Sequence, residues 1–164
     1  MKVRRAVPAD LPAILAIYAH ARRFMAAHGN PRQWGATGWP PEAVIRGDIA
    51  EGRGYVCVEG NEILAVFCYL YGDSPEPLYN GIREGSWLKA GPYGVVHRIA
   101  AARSGTGAGA FCLEWAFRCS GHLRIDTHPD NTVMQALLEK LGFARRGIVS
   151  VAEDNDPRIA FERV

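Results

Sequence analysis

Tyr93-Gly94-Val95-Val96-His97-Arg98-Ile99-Ala100-Ala101, continued by Ala102-Arg103-Ser104-Gly105-Thr106-Gly107-Ala108-Gly109 and the apolar run Ala110 to Cys119, decides the fold. A stretch of strand composition passes through a glycine-rich loop into a helix-forming segment, so the local order is strand, loop, helix. Backbone amides at a helix N-terminus, with the helix dipole behind them, form a site for phosphate anions, and glycines let the backbone approach the ligand. The strand carries an anomaly. Its alternation sends His97 and Arg98 to opposite faces, where burial without partners is costly, so both residues need a reason.

Downstream, Leu123 to Thr127 reads as a strand and Asn131 to Leu141 as a helix closed by Gly142, which completes a βαβα unit. Arg146 to Val151 and Arg158 to Phe161 flank the turn-forming Asp154-Asn155-Asp156-Pro157 as a hairpin. Upstream, Val3 to Ala6 is a short strand, and Pro8 with Asp10 opens a helix along which Leu11, Ile14, Leu15 and Tyr18 recur at helical spacing. An aromatic, turn-rich loop carries Trp34 and Trp39, a second helix spans Pro41 to Glu51, and Tyr55 to Val58 with Ile63 to Cys68 form a hairpin around Gly60-Asn61. Asp73 to Gly91 turns to Pro, Gly and charge and reads as a loop that carries Trp87. Hairpins at both ends of a βαβ unit predict one α/β (α+β) domain over 1–164, a mixed, mostly antiparallel sheet with helices on both faces.

Composition narrows the function. The 164 residues are 48% hydrophobic and 22% charged, the balance of a globular domain, and 19 Lys plus Arg against 17 Asp plus Glu leave a net charge of +2. That charge makes no electrostatic case for nucleic acid. No apolar stretch approaches the roughly 20 residues that span a bilayer, and Met1 to Pro8 shows no signal-peptide core, so a cytoplasmic protein without a membrane partner is expected. Cys57, Cys68, Cys112 and Cys119 lie in apolar runs without C-x-x-C or His at ligand spacing, and read as small core residues rather than a disulfide framework or metal site.

The loop does not fit a nucleoside triphosphate, because Gly109 is followed by Ala110-Phe111 instead of Lys-Ser/Thr. A dinucleotide is a closer formal match: Gly105, Gly107 and Ala110 satisfy G-x-G-x-x-G/A, with Asp126 about 20 residues on. It fails on architecture, since only Thr127 to Val164 is left to build the rest of a doubly wound sheet.

The chain resembles the GNAT family, whose signature is Gln/Arg-x-x-Gly-x-Gly/Ala at a strand-to-helix junction, followed by a strand, an Asn-led helix and Gly-Phe. Ser104-Gly105-Thr106-Gly107-Ala108-Gly109 fits with Ser in the first place, and Asn131 through Leu141-Gly142-Phe143 fits the second half. The resemblance implies a GNAT-like sheet in which the strand before the loop splays from its neighbour. It implies acetyl-CoA, or another short acyl-CoA, held by Ser104, Gly105, Thr106, Gly107, Ala108 and Gly109, by Asn131, and by the backbone of Ile99, Ala100 and Ala101. It implies direct attack of an amine on the thioester in a ternary complex, catalysed by positioning and carbonyl polarisation. Cys112 is then core, not nucleophile. The family often places an acidic tyrosine four residues before the glycine of Gly-Phe; Leu138 stands there, leaving a nearby hydroxyl, His128 or water for the role.

His97 is the expected general base, because imidazole titrates near working pH and sits mid-strand beside the implied cofactor path. Arg98 and Asp126, on adjacent inferred strands, are expected to pair. Trp34, Trp39, Trp87 and Tyr93 are expected to line the acceptor pocket. The residues do not separate a polyamine, an amino acid, a drug-like amine or a peptide N-terminus as acceptor, and are compatible with a homodimer. The alternative to an enzyme is a non-catalytic acyl-CoA-binding sensor or interaction module of the same fold.

Overall fold

Short apolar runs separated by turn residues fold into a seven-stranded sheet in the computed structural model, which describes residues 1–164. The strands are β1 (Lys2–Arg5), β2 (Gly54–Glu59), β3 (Glu62–Gly72), β4 (Tyr93–Ala101), β5 (Leu123–Thr127), β6 (Ala144–Val149) and β7 (Arg158–Arg163). Their order is β1-β2-β3-β4-β5-β7-β6, antiparallel throughout except for β4 and β5, which run parallel. Four helices cover the sheet: α1 (Leu11–Ala27), α2 (Glu42–Ala50), α3 (Ala108–Ser120) and α4 (Thr132–Lys140). None is long and apolar enough to cross a membrane.

Alternation sorts the strands between two cores. Val56, Val58, Val66 and Ala100 pack against Ile14, Ile17 and Tyr18 of α1 and Ile45 of α2, whereas Cys57, Ala65, Phe67 and Val96 pack against Cys112, Leu113 and Ala116 of α3. Burying these side chains on both faces is the main favourable term holding the helices to the sheet. Three of the cysteines are buried as expected; Cys119, in the last turn of α3, is exposed.

Two irregularities in β4 shape everything that follows. Opposite β3, Val66 faces Ala100 while Cys68 faces His97, so Phe67 stands against both Arg98 and Ile99. This is a β-bulge, with Arg98 at φ 54°, a left-handed conformation uncommon for a residue other than glycine. The extra residue cancels one step of alternation. Val96 and Ile99 therefore share the α3 side, and His97 and Arg98 both point to the α1 and α2 side, contrary to the simple alternation expected from sequence. The second irregularity is the pairing of β4 with β5, which covers only Gly94 with Leu123 and Val95 with Arg124. Beyond Val95 the strands diverge, and the β4 edge facing β5 has no ladder partner.

The segment between β3 and β4, read as a loop, contains a short 3-10 turn at Pro77–Gly81 and is fastened at several points. Glu162, fully buried, accepts from the Leu88 amide, from His122 Nε2 at 2.7 Å and from Arg124 Nε at 3.0 Å. Arg124 donates onward to the Lys89 carbonyl at 2.7 Å, with its guanidinium 4.3 Å from the Trp87 ring centre and 3.9 Å from that of Tyr93. Burial by itself would raise the Glu162 carboxyl, but the Leu88 amide, His122 and Arg124 together hold it below the usual carboxylate range.

Candidate active site

Where β4 and β5 part, a cleft of about 500 Å³ opens, lined by β4 from Val96 to Ala101, the whole loop Ser104 to Gly109, and Asn131 of the α4 cap. All the residues expected at the cofactor therefore share one cavity. The loop ends in a left-handed turn, with Gly105 at φ 79° and Gly107 at φ 74°, and Gly107 caps α3. A Cβ at either glycine would meet nothing within 4 Å, so backbone conformation, not crowding, demands glycine there. The turn leaves the first amides of α3 directed out of the helix with no intrahelical acceptor, which suits a phosphate group.

Asn131 has a visible local task. Its Oδ1 accepts from the Met134 amide at 3.1 Å, capping α4, and its Nδ2 donates to Gln33 Oε1 at 2.9 Å. That second bond, with the Arg32–Asp156 ion pair at 2.6 Å, draws the loop between α1 and α2 over the strand opening. Trp34 and Trp39 of this loop line the cleft as expected. Trp87 and Tyr93 do not: the anchor around Arg124 holds both behind the wall, because their rings are the faces between which that guanidinium lies.

His97 lines the cleft beside Glu76 and Tyr79, which the sequence reading missed, and beside Asp126, which it had paired with Arg98. Its Nε2 lies 3.0 Å from Glu76 Oε2, its Nδ1 is 4.0 Å from Asp126 Oδ2, and that carboxylate accepts from the Tyr79 hydroxyl at 2.6 Å. The His97 bond holds the Glu76 carboxyl below its ordinary range against the opposing effect of burial, while Glu76 Oε1 accepts from the Leu78 amide. Burial, reinforced by Asp126, raises the Tyr79 phenol well above its usual value, so it stays protonated. Glu153 also lines the cleft, its carboxyl raised by burial and by Asp126. Glu76 and Tyr79 belong to the segment whose conformation was not readable; its Pro and Gly content marked a loop but not where the loop folds back.

Arg98 does not pair with Asp126. Its Nε and Nη2 reach Asp48 of α2 at 3.0 and 2.9 Å, and Tyr18 donates to its carbonyl at 2.8 Å, because the bulge turns this side chain toward the helices. Cys112 is wholly buried with its thiol raised far from ionisation, which suits core and not a nucleophile. Leu138 is also wholly buried. His128 is committed elsewhere: Nε2 lies 3.1 Å from Asp156, Nδ1 accepts from the Asp130 amide, and the ring is absent from the cleft wall. Among the hydroxyls that do line the cleft, Thr127 Oγ1 is buried without any hydrogen-bond partner.

No family sequence model matches the chain, and no curated protein matches it in sequence. Solved structures do. A GNAT-family acetyltransferase from Streptococcus agalactiae is 29% identical, with TM-score 0.87 over 99% of this chain and 94% of its own. A ribosomal-protein-alanine N-acetyltransferase from Brucella melitensis, 20% identical, superposes with TM-score 0.62 over 100% of this chain and 99% of its own. The ribosomal-protein-S18-alanine N-acetyltransferase of Escherichia coli, 16% identical, gives 0.61 over 98% and 91%. These last two share the fold. With the parted strands, the left-handed glycine turn and the first of these likenesses in view, the chain is similar in fold and cleft to the GNAT-family acetyltransferases.

Proposed function

We propose that the protein is an acetyl-CoA-dependent N-acetyltransferase acting by direct attack of an amine within a ternary complex. The observation that carries this reading is the shared cavity: the glycine turn, the unpaired edge of β4 and His97 all line one cleft. The residues fit the cofactor, with left-handed glycines presenting amides to a pyrophosphate and the free edge from Ile99 to Ala101 available to the amides of pantetheine. When bound, acetyl-CoA supplies an acyl group activated as a thioester.

His97 acts as the base. Glu76 takes the Nε2 proton in a hydrogen bond, leaving the lone pair on Nδ1, and a proton gained there faces Asp126. With acetyl-CoA bound, the neutral amine would bond to the acyl carbon as the carbon–sulfur bond breaks, and the proton then shed by the nitrogen would pass to the departing thiolate, which leaves as free thiol. Asp126 is itself oriented by Tyr79, so the groups that hold the imidazole are fixed from both sides of the cleft. Release of free thiol on incubation with acetyl-CoA and a panel of amines tests the proposal directly.

The second reading, an acyl-CoA sensor, draws on Leu138, which leaves no acidic hydroxyl at that position. A sensor binds acetyl-CoA, raising the melting temperature by mass action, and releases no thiol.

A further inference from the structure

The charges around the cleft differ in what is already paired. Arg98 is held by Asp48 through two bonds, Arg103 by Glu62, and His97 by Glu76. His20 lies against Phe24, ring centres 6.4 Å apart, and contributes an imidazole instead of a permanent charge. Around His97 no guanidinium or ammonium is left to receive an acidic group of a substrate; Arg103, in an exposed pair with Glu62, stands next to Ser104 of the glycine loop. The carboxylates are less fully matched. Glu153 has Arg158 Nη2 at 3.9 Å, but that nitrogen donates to Asp154 at 2.7 Å and Nη1 donates to the Asp156 carbonyl at 2.9 Å, so Glu153 receives no side-chain hydrogen bond. Asp126 lies 3.9 Å from Arg158 Nε and takes one bond, from Tyr79. The remaining wall toward α1 is apolar and largely aromatic, formed by Phe24, Met25, Trp34, Trp39 and Leu78.

We propose that the acceptor is a small amine with an apolar body and no acidic group, its ammonium drawn to Glu76, Asp126 and Glu153 and its body laid against Phe24, Trp34 and Trp39. This rests on the transferase reading above and narrows it. An ammonium gains from the three carboxylates, and the aromatic faces add cation–π and apolar contact. An acceptor with an α-carboxylate adds a further negative charge to the three carboxylates of a partly enclosed site, and like charges placed together there are strongly disfavoured.

Matched pairs test this in the intact protein: phenylethylamine against phenylalanine, and tryptamine against tryptophan, with thiol release measured at saturating acetyl-CoA. The expected kcat/KM is at least about tenfold higher for the amine lacking the carboxylate in each pair. Glu153→Gln is expected to narrow that ratio, because both members lose the same attraction for their ammonium while only the amino acid's carboxylate is relieved of repulsion. Equal or inverted preference within the pairs overturns the inference while leaving the transferase intact, as does a peptide with N-terminal alanine outperforming every small amine. An unchanged ratio in Glu153→Gln overturns the placement of the ammonium. Absence of thiol release from any amine, with acetyl-CoA still raising the melting temperature, removes the transferase reading itself.

Discussion

Glu76 Oε2 accepts a hydrogen bond from His97 Nε2 at 3.0 Å, and this contact assigns the imidazole tautomer. A carboxylate held ionised cannot donate, so the Nε2 proton belongs to His97 and the basic lone pair is on Nδ1. Glu76→Gln removes the requirement. The amide can donate as readily as it accepts, and part of the population then carries its proton on Nδ1. Acetyl-CoA affinity is expected to stay within about twofold, with kcat falling about tenfold or more, since base catalysis contributes roughly 10²–10⁴ in rate. Steady-state kinetics beside calorimetric binding measures the split; equal losses in both would show that Glu76 shapes the cleft instead of the base.

His97→Gln keeps a polar side chain of similar reach but cannot take up the proton. The rate near neutral pH is expected to drop about 10²-fold and to recover as pH approaches the amine's own pKa, because the substrate then arrives neutral. A structural histidine would give a loss independent of pH, so the profile decides between them.

Gly107→Glu adds a negative side chain beside the first amides of α3 at a backbone position, φ 74°, that already disfavours side chains. Acetyl-CoA binding is expected to be lost. Gly107→Asn separates the two causes, since asparagine tolerates the left-handed conformation and brings no charge. It should retain binding within about tenfold, with circular dichroism confirming that both variants fold; loss of binding in both would point to backbone strain alone.

Thr127→Val probes a hydroxyl buried without a partner. An unsatisfied buried polar group costs about 1–3 kcal/mol, so the near-isosteric valine is expected to raise the melting temperature of the ligand-free protein. The same change should weaken acetyl-CoA if ligand atoms satisfy the hydroxyl. A variant less stable than the parent in the absence of ligand would mean that the hydroxyl already has a structural partner.

Glu162→Ala leaves Arg124 and His122 buried beside no counter-charge, and breaking a buried pair in this way costs about 3–5 kcal/mol. Because the Glu162 carboxyl is held below its ordinary range, its contribution is complete above the unfolded pKa of about 4.3 and is lost as pH falls through the folded value. Thermal melts across pH should therefore show the parent losing its advantage over the variant on the acid side only. A constant difference at all pH values would contradict the ionised assignment.

What the sequence determined by itself is local. Gly105 and Gly107 require a turn in the left-handed region, Asn131 caps the helix that follows it, and the succession from Tyr93 to Leu141 is strand, helix, strand, helix because periodicity and caps act over a few residues. The fold class and the glycine turn were legible for that reason. The site's polar groups were not. Arg98 pairs with Asp48, fifty positions away, instead of Asp126, because one inserted residue in β4 turns the side chain to the other face, and no local pattern announces that bulge. Glu76 and Tyr79 meet His97 and Asp126 on a loop that Glu162 and Arg124 fasten to the sheet, and the same anchor withdraws Trp87 and Tyr93 from the cleft. Those placements depend on register and on contacts between distant segments, which only the assembled sheet decides.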